Sequence, residues 1–189
     1  MNRREAVSAV ALLMGGALIN METLLTGCKT GSSNGGGPLS NDDVALLDEI
    51  GETIVPTTST PGAKAAQTGL YIAAVVKDCY DEKHRNAFIA GMDTFRSECK
   101  KRTGKTFMDN NAEHRLAFLN ALDAEQKAYT KDERNKDKPH YFRMMKELTL
   151  YGYFTSQPGA TQTLRYIETP GRYDGCVDYK KGDKVWATG

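Results

Sequence analysis

Apolar residues recur at the spacing of an α-helix along most of the chain from Ser40 to Ser156. The first such segment, SNDDVALLDEIGETIVP, begins with Ser40 and Asp43 in the arrangement of an N-terminal capping box. Pro56 predicts the end of this helix, because proline lacks the N–H group that a helix interior needs. The predicted inward face consists of Val44, Leu47 and Ile54.

The same periodicity predicts three further helices, followed by a charged stretch over residues 127–139 that is predicted to be a solvated connection. The second of these three helices ends in three cations and then Gly104, an order typical of a helix C-terminus. In each segment the apolar residues share one face, which predicts the buried stripe. The residues concerned are Ile72, Val76 and Cys79, then Phe88, Met92, Phe95 and Cys99, then Leu116 and Leu119.

A fifth helix is predicted over HYFRMMKELTLYGYFTS, which is apolar on most of its sides. Such a helix lies at the centre of a bundle or contacts a partner as well as the core. Beyond Ser156, glycine and proline interrupt the pattern and predict an extended tail with one short strand at TLRYI. The predicted fold is therefore mainly α: a small bundle of about five helices with a turn-rich C-terminal tail, in one domain over residues 40–189.

The first 39 residues follow a different pattern. Arg3 and Arg4 precede an uncharged run, AVSAVALLMGGALI, whose 14 residues fit the apolar part of a signal peptide, typically about 7–15 residues long. The paired arginines favour export by the twin-arginine route, which carries folded proteins. The order of charge, apolar run and small residues then leads to LLTGC, which resembles the lipobox of bacterial lipoproteins.

Residues 1–27 are accordingly predicted to be a signal peptide, with Cys28 as the lipidated first residue of the mature protein. Glu5 and Glu22 depart from the usual pattern, so an uncleaved leader with an incidental cysteine is the alternative interpretation. The segment over residues 28–39 is rich in glycine and serine and predicts a flexible tether. The predicted location is periplasmic, with attachment to the membrane through the lipid.

Composition narrows the classes of function. The chain has 189 residues and a formal net charge of +1, so it lacks the basic excess that is typical of nucleic-acid-binding proteins. The three histidines are about 30 residues apart and none has a second histidine at i+4. No G-x-G-x-x-G motif occurs, and the one G-x-S-x-G match lies in the glycine-serine segment rather than between a strand and a helix. These patterns predict no catalytic, cofactor-binding or metal-binding residue in this chain.

Three cysteines remain if Cys28 is lipidated. An exported protein encounters oxidising conditions, so one disulfide is expected among them. Cys79 and Cys99 occupy apolar helix faces, and Cys176 lies in the turn RYDGC. A bridge between Cys79 and Cys176 is predicted, although the sequence does not determine the connectivity.

Two segments carry a family resemblance: DEIGETIVPTTSTPGAKAA, over residues 48–66, and HYFRMMKELTLYGYFTSQPGATQTLRYIETPGRYDGC, over residues 140–176. They resemble the small subunit of bacterial membrane-bound gluconate 2-dehydrogenase, the subunit 3 family. The resemblance implies a separate flavoprotein of the glucose–methanol–choline type that holds FAD, with a cytochrome as electron carrier. It also implies that the small subunit carries the export signal for its folded partner and has no redox centre of its own.

The sequence thus predicts a non-catalytic accessory subunit that anchors, stabilises and helps export a sugar or gluconate dehydrogenase. A freestanding periplasmic lipoprotein that binds a ligand or scaffolds other proteins is the alternative, and the substrate of the complex is left open. Partner contact is predicted on the fifth helix and the adjoining tail, although core packing is an equal possibility for each aromatic residue there. The predicted contact residues are Phe142, Met145, Tyr151, Tyr153, Phe154, Arg172 and Tyr173.

Overall fold

The protein is described here by a computed structural model that covers residues 38–135, 138–169, 171–172 and 175–187. Within these residues there are five α-helices, a short 3-10 turn over Glu133–Asn135 and a π-helical turn over Gly159–Thr163. The prediction of a mainly α fold is confirmed. The α-helices are α1 (Asn41–Ile54), α2 (Thr68–Asp78), α3 (Glu82–Thr103), α4 (Ala112–Lys131) and α5 (Tyr141–Thr155).

The helix ends follow the local chemistry of the sequence. At the start of α1, the backbone N–H of Asp43 donates to the Ser40 hydroxyl at 3.2 Å, and the Asp43 carboxylate accepts the Ser40 N–H at 2.7 Å. This is the predicted capping box. The α3 helix ends at Gly104, which adopts φ 74°, a left-handed conformation that glycine takes without steric cost.

The α5 helix is central, because it packs against each of the other four helices. The core beneath it is rich in aromatic residues. The Phe95 ring lies edge-on to Phe107 at 5.2 Å and to Phe118 at 5.3 Å between ring centroids. The predicted stripe of α3 is entirely buried, and it consists of Phe88, Met92, Phe95 and Cys99.

Arg115 links three parts of the bundle. From the first turn of α4 it donates Nε–H to the Phe107 carbonyl at 2.9 Å and Nη2–H to the Met108 carbonyl at 2.6 Å. Its third nitrogen pairs with Glu49 of α1, and its guanidinium lies 5.4 Å from the centroid of the Phe107 ring. A single side chain therefore holds the loop between α3 and α4 against α1.

Four local predictions were wrong. The α4 helix continues to Lys131, because Lys127 pairs with Asp123 at i,i+4 and a charged helix face can remain solvated. Leu116 is exposed, since the buried stripe of α4 runs through Leu119 and Leu122 beside it.

Cys79 is also exposed, as the residue that ends α2. In place of the strand at TLRYI, the described residues form one isolated bridge between Arg165 and Trp186.

None of the described helices combines the length and the apolar character that crossing a membrane requires. The predicted signal peptide, the paired residues Arg3 and Arg4, and Cys28 all lie outside the described residues.

Candidate partner-binding site

Three of the predicted contact residues belong to the core. Phe142, Met145 and Tyr153 are exposed by only 1%, 0% and 1%, so for these three residues the structure shows the alternative of core packing. They lie on the sides of α5 that face the other helices, where their burial stabilises the bundle. The remaining residues of the prediction differ in their environment. Tyr151, Phe154 and Arg172 are exposed, and Tyr173 lies outside the described residues.

Two exposed aromatic side chains remain on α5 near its C-terminus. Tyr151 is 65% exposed and Phe154 is 41% exposed. They flank Gly152, which is buried beneath the ring of Tyr71 from α2. A Cβ atom at position 152 would lie 2.6 Å from the Tyr71 ring, so glycine is what lets this ring approach α5 closely.

The α2 helix contributes one more aromatic side chain to this side of the bundle. Tyr71 lies against Gly152 and is 37% exposed. We call Tyr71, Tyr151 and Phe154 the aromatic face. Large exposed apolar groups that cluster on two packed helices are typical of surfaces that bind other proteins, in which tyrosine and phenylalanine are enriched.

The C-terminal end of α5 is held in place by the Tyr153 hydroxyl. It donates to the Pro61 carbonyl at 2.6 Å, and its oxygen lies 2.6 Å from Oγ1 of Thr163. Because the phenolic proton is used on Pro61, Thr163 must donate to the tyrosine oxygen. The loop between α1 and α2, the end of α5 and the π-helical turn therefore meet at one buried side chain.

The loop between α1 and α2 is organised by Glu52. Its carboxylate accepts the Thr57 N–H at 2.8 Å, the Thr57 hydroxyl at 2.7 Å and the Lys64 N–H at 3.0 Å. Burial acts to raise the pKa of Glu52, but these donors outweigh it, and the pKa lies below its usual value. Gly62 packs directly on this carboxylate, where a Cβ atom would lie 2.4 Å from either oxygen. These contacts stabilise the folded conformation of the loop next to the end of α5.

Asp48 on α1 and His140 at the start of α5 are two titratable groups whose pKa values are shifted by burial. Burial raises the pKa of Asp48, although its carboxylate accepts the Gly69 N–H at 2.7 Å. Burial lowers the pKa of His140 against the opposing charge of Glu125. The Nδ1 atom of His140 accepts the Phe142 N–H at 3.3 Å, so the neutral ring caps α5. Burial accounts for both pKa shifts, and both groups have structural roles.

No cluster of three or more histidine, cysteine or acidic side chains that could hold a metal ion occurs in the part of the chain that the structure describes.

A groove of about 790 Å³ lies between the start of α3 and the connection from α4 to α5, and it is open and charged. Its lining includes Lys83, His84, Asp132, Glu133, Arg143 and Glu147. Flavin and similar cofactors bind in enclosed and mostly apolar pockets. The prediction that this chain holds no cofactor stays a prediction.

The three described cysteines are free thiols. Cys99 is buried, and burial raises its pKa, whereas Cys79 and Cys176 are exposed. The bridge predicted between Cys79 and Cys176 is not formed in this structure. Cys79 lies at the exposed end of α2.

Comparison with known families gives one match. The family model of gluconate 2-dehydrogenase subunit 3 matches residues 41–171, which include all five α-helices, the π-helical turn and the start of the tail. No curated protein and no solved structure matches the chain.

Proposed function

Because this chain belongs to the gluconate 2-dehydrogenase subunit 3 family, we propose that it is a non-catalytic small subunit that binds the flavoprotein subunit of a sugar or gluconate dehydrogenase. In this proposal the flavoprotein, of the glucose–methanol–choline type, holds the FAD and oxidises the substrate. A cytochrome passes the electrons on. The small subunit contributes a binding surface instead of chemistry.

The aromatic face is the observation that carries this proposal. Three aromatic side chains stay exposed although the bundle beneath them has an extensive buried core. Their neighbours are held rigidly, because Tyr71 lies against Gly152 and Tyr153 fixes the end of α5. A preformed surface of this kind binds with little loss of conformational entropy. Aromatic side chains of this type supply most of the binding free energy in protein interfaces.

Co-purification tests the proposal. The tagged chain is expressed with its flavoprotein, and bound FAD is measured by absorbance, with the flavoprotein identified by mass. Replacing Tyr151 and Phe154 together by serine should weaken the complex at least ~10-fold, a loss of about 1.4 kcal/mol or more. Both side chains are exposed, so the variant should fold normally.

Met108 and Leu116 provide the matched control. They are similarly exposed but lie on the loop before α4 and on α4 itself. Serine at both positions should leave the affinity unchanged within about 3-fold, as expected for residues outside an interface. A wild-type chain that purifies without flavin under conditions that preserve other complexes would instead support the freestanding lipoprotein.

Export and anchoring form the second part of the proposal. Arg3 and Arg4 direct the folded subunit, with its flavoprotein bound, to the twin-arginine route, and lipid on Cys28 holds the complex at the membrane. Cell fractionation separates the two roles. Lysine at both arginine positions should leave the small subunit and the flavoprotein in the cytoplasm. Cys28→Ser should still allow export but release the complex from the membrane.

Two fractionation results would count against these roles. If the flavoprotein reaches the periplasm in cells that express the lysine variant, it is exported independently of this chain. A Cys28→Ser protein that stays bound to membranes and keeps its leader would show that the apolar run is the anchor and that LLTGC is incidental.

A further inference from the structure

The C-terminal tail forms a closed loop. The backbone N–H of Arg165 donates to the Val185 carbonyl at 2.8 Å, and the Ala187 N–H donates to the Arg165 carbonyl at 2.9 Å. The guanidinium of Arg165 lies 4.8 Å from the centroid of the Trp186 ring, a cation–π contact. We call these contacts the stem, and the described residues 166–169, 171–172 and 175–185 the C-terminal loop. The stem brings together two parts of the tail that are 20 residues apart.

The described apolar side chains of the C-terminal loop are left in water. Tyr179 is 75% exposed, the highest value among the large apolar residues that the structure shows as exposed. Burial on the bundle is what would normally order a segment that contains such side chains. This loop is closed by its stem, and yet its apolar residues within the described part of the chain are not covered by the helices. The residues concerned are Tyr166, Ile167, Val177 and Tyr179.

The stem follows the π-helical turn, which is bonded to the C-terminal end of α5. Thr163 precedes it by two residues and bonds to the Tyr153 hydroxyl, and the ring of Tyr153 lies edge-on to Phe154 at 5.2 Å between centroids. The exposed residues of α5 and the base of the loop are thus attached to the same buried tyrosine. A partner seated on the aromatic face would also lie next to the loop.

The charges of the loop favour a protein over a lipid surface as the occupant. Segments that bind anionic membranes carry a clear excess of lysine and arginine. Here the opposite charges balance and alternate with the apolar residues, as in the mixed rim and core of a protein interface. The sequence between Arg165 and Trp186 contains the acids Glu168, Asp174, Asp178 and Asp183 and the bases Arg172, Lys180, Lys181 and Lys184.

We propose that the C-terminal loop binds the flavoprotein subunit, and that together with the aromatic face it forms one continuous interface. This inference rests on the proposed function, since it names a second element that contacts the same partner. The stem holds the two ends of the loop together after the π-helical turn, which is bonded to the C-terminal end of α5. Burial of the tyrosine, isoleucine and valine side chains against the partner then supplies the apolar contact that the bundle does not provide.

A loop variant of the full-length chain tests this inference. Tyr166, Ile167 and Tyr179 are replaced together by serine, and flavoprotein binding is measured by titration of the purified subunits. The affinity should fall at least ~10-fold, as for loss of an interface hot spot. The melting temperature of the free small subunit should change by less than about 2 °C, because exposed side chains contribute little to the stability of the fold. The control variant carries serine at Asp178 and Lys181, which keeps the net charge, and should bind within about 3-fold of wild type.

The outcomes separate the two proposals. Wild-type chain that does not bind the flavoprotein would overturn the proposed function and this inference with it. If the wild-type chain binds the flavoprotein and the loop variant binds it with the same affinity, only the inference is overturned. It would also be overturned if the loop variant kept its flavoprotein affinity but lost self-association in sedimentation, or lost binding to vesicles containing anionic lipid.

Discussion

Replacing Phe95 by alanine is expected to lower the free energy of unfolding by about 3–5 kcal/mol, the usual range for truncation of a buried phenylalanine. Phe95 is fully buried, and its ring is edge-on to both Phe107 and Phe118. Alanine would remove apolar contacts and both aromatic pairs, and would leave a cavity between α3, α4 and the loop that joins them. Since the free energy of unfolding of a domain of this size is only about 5–15 kcal/mol, the substitution would remove a large part of it.

Urea titration followed by far-ultraviolet circular dichroism measures this effect, with the slope of the transition checked for constancy. Phe154→Ala is the matched control, because it is the same change on a helix at a position that is 41% exposed. It should cost less than about 1 kcal/mol. Equal losses in the two variants would contradict the assignment of Phe95 to the core and of Phe154 to the surface.

Replacing Arg115 by methionine is expected to cost about 2–4 kcal/mol, close to the roughly 3–5 kcal/mol for breaking a buried ion pair. The side chains of Arg115 and Glu49 are only 16% and 14% exposed. Methionine keeps much of the apolar stem but removes the donors to two carbonyls and leaves the Glu49 carboxylate with a poorer set of partners. The loop between α3 and α4 would lose its main attachment to α1.

Arg96→Met provides the comparison. Arg96 pairs with Asp43 across the surface of α1 and α3, and its side chain is 41% exposed. Solvent screens such a pair, so its loss should cost no more than about 1 kcal/mol. The urea midpoints of unfolding are compared for Arg115→Met and Arg96→Met. If they agree within experimental error, the attachment of the loop by Arg115 is refuted.

The local signals of the sequence predicted most of the helices. Ser40 and Asp43 started α1, and Gly104 ended α3, because these residues act on the backbone beside them. Four apolar residues at a helical period in α3 were all buried as expected. The C-terminal extension of α4 was missed because its many charges resemble those of a loop, although a solvated helix face tolerates them equally well.

The partner-binding site was predicted only in part, for a physical reason. An apolar helix such as α5 can bury any of its aromatic residues, and which ones remain exposed depends on where the other four helices pack. The partner of the Tyr153 hydroxyl lies 92 residues away at Pro61, so no local pattern could reveal it. Gly152 was the available signal, since a glycine among aromatic residues in a helix indicates a close approach by another side chain.

The stem of the C-terminal loop has a consequence for spectroscopy. Trp186 is the only tryptophan in the chain, and it lies beside the guanidinium of Arg165 and far along the sequence from the helical core. Its fluorescence therefore reports on the tail alone, and a cationic group at 4.8 Å makes the emission sensitive to any change in the stem. Selective excitation of this residue would follow events at the tail without a contribution from the bundle, while the unfolding of the helices would need a different optical signal.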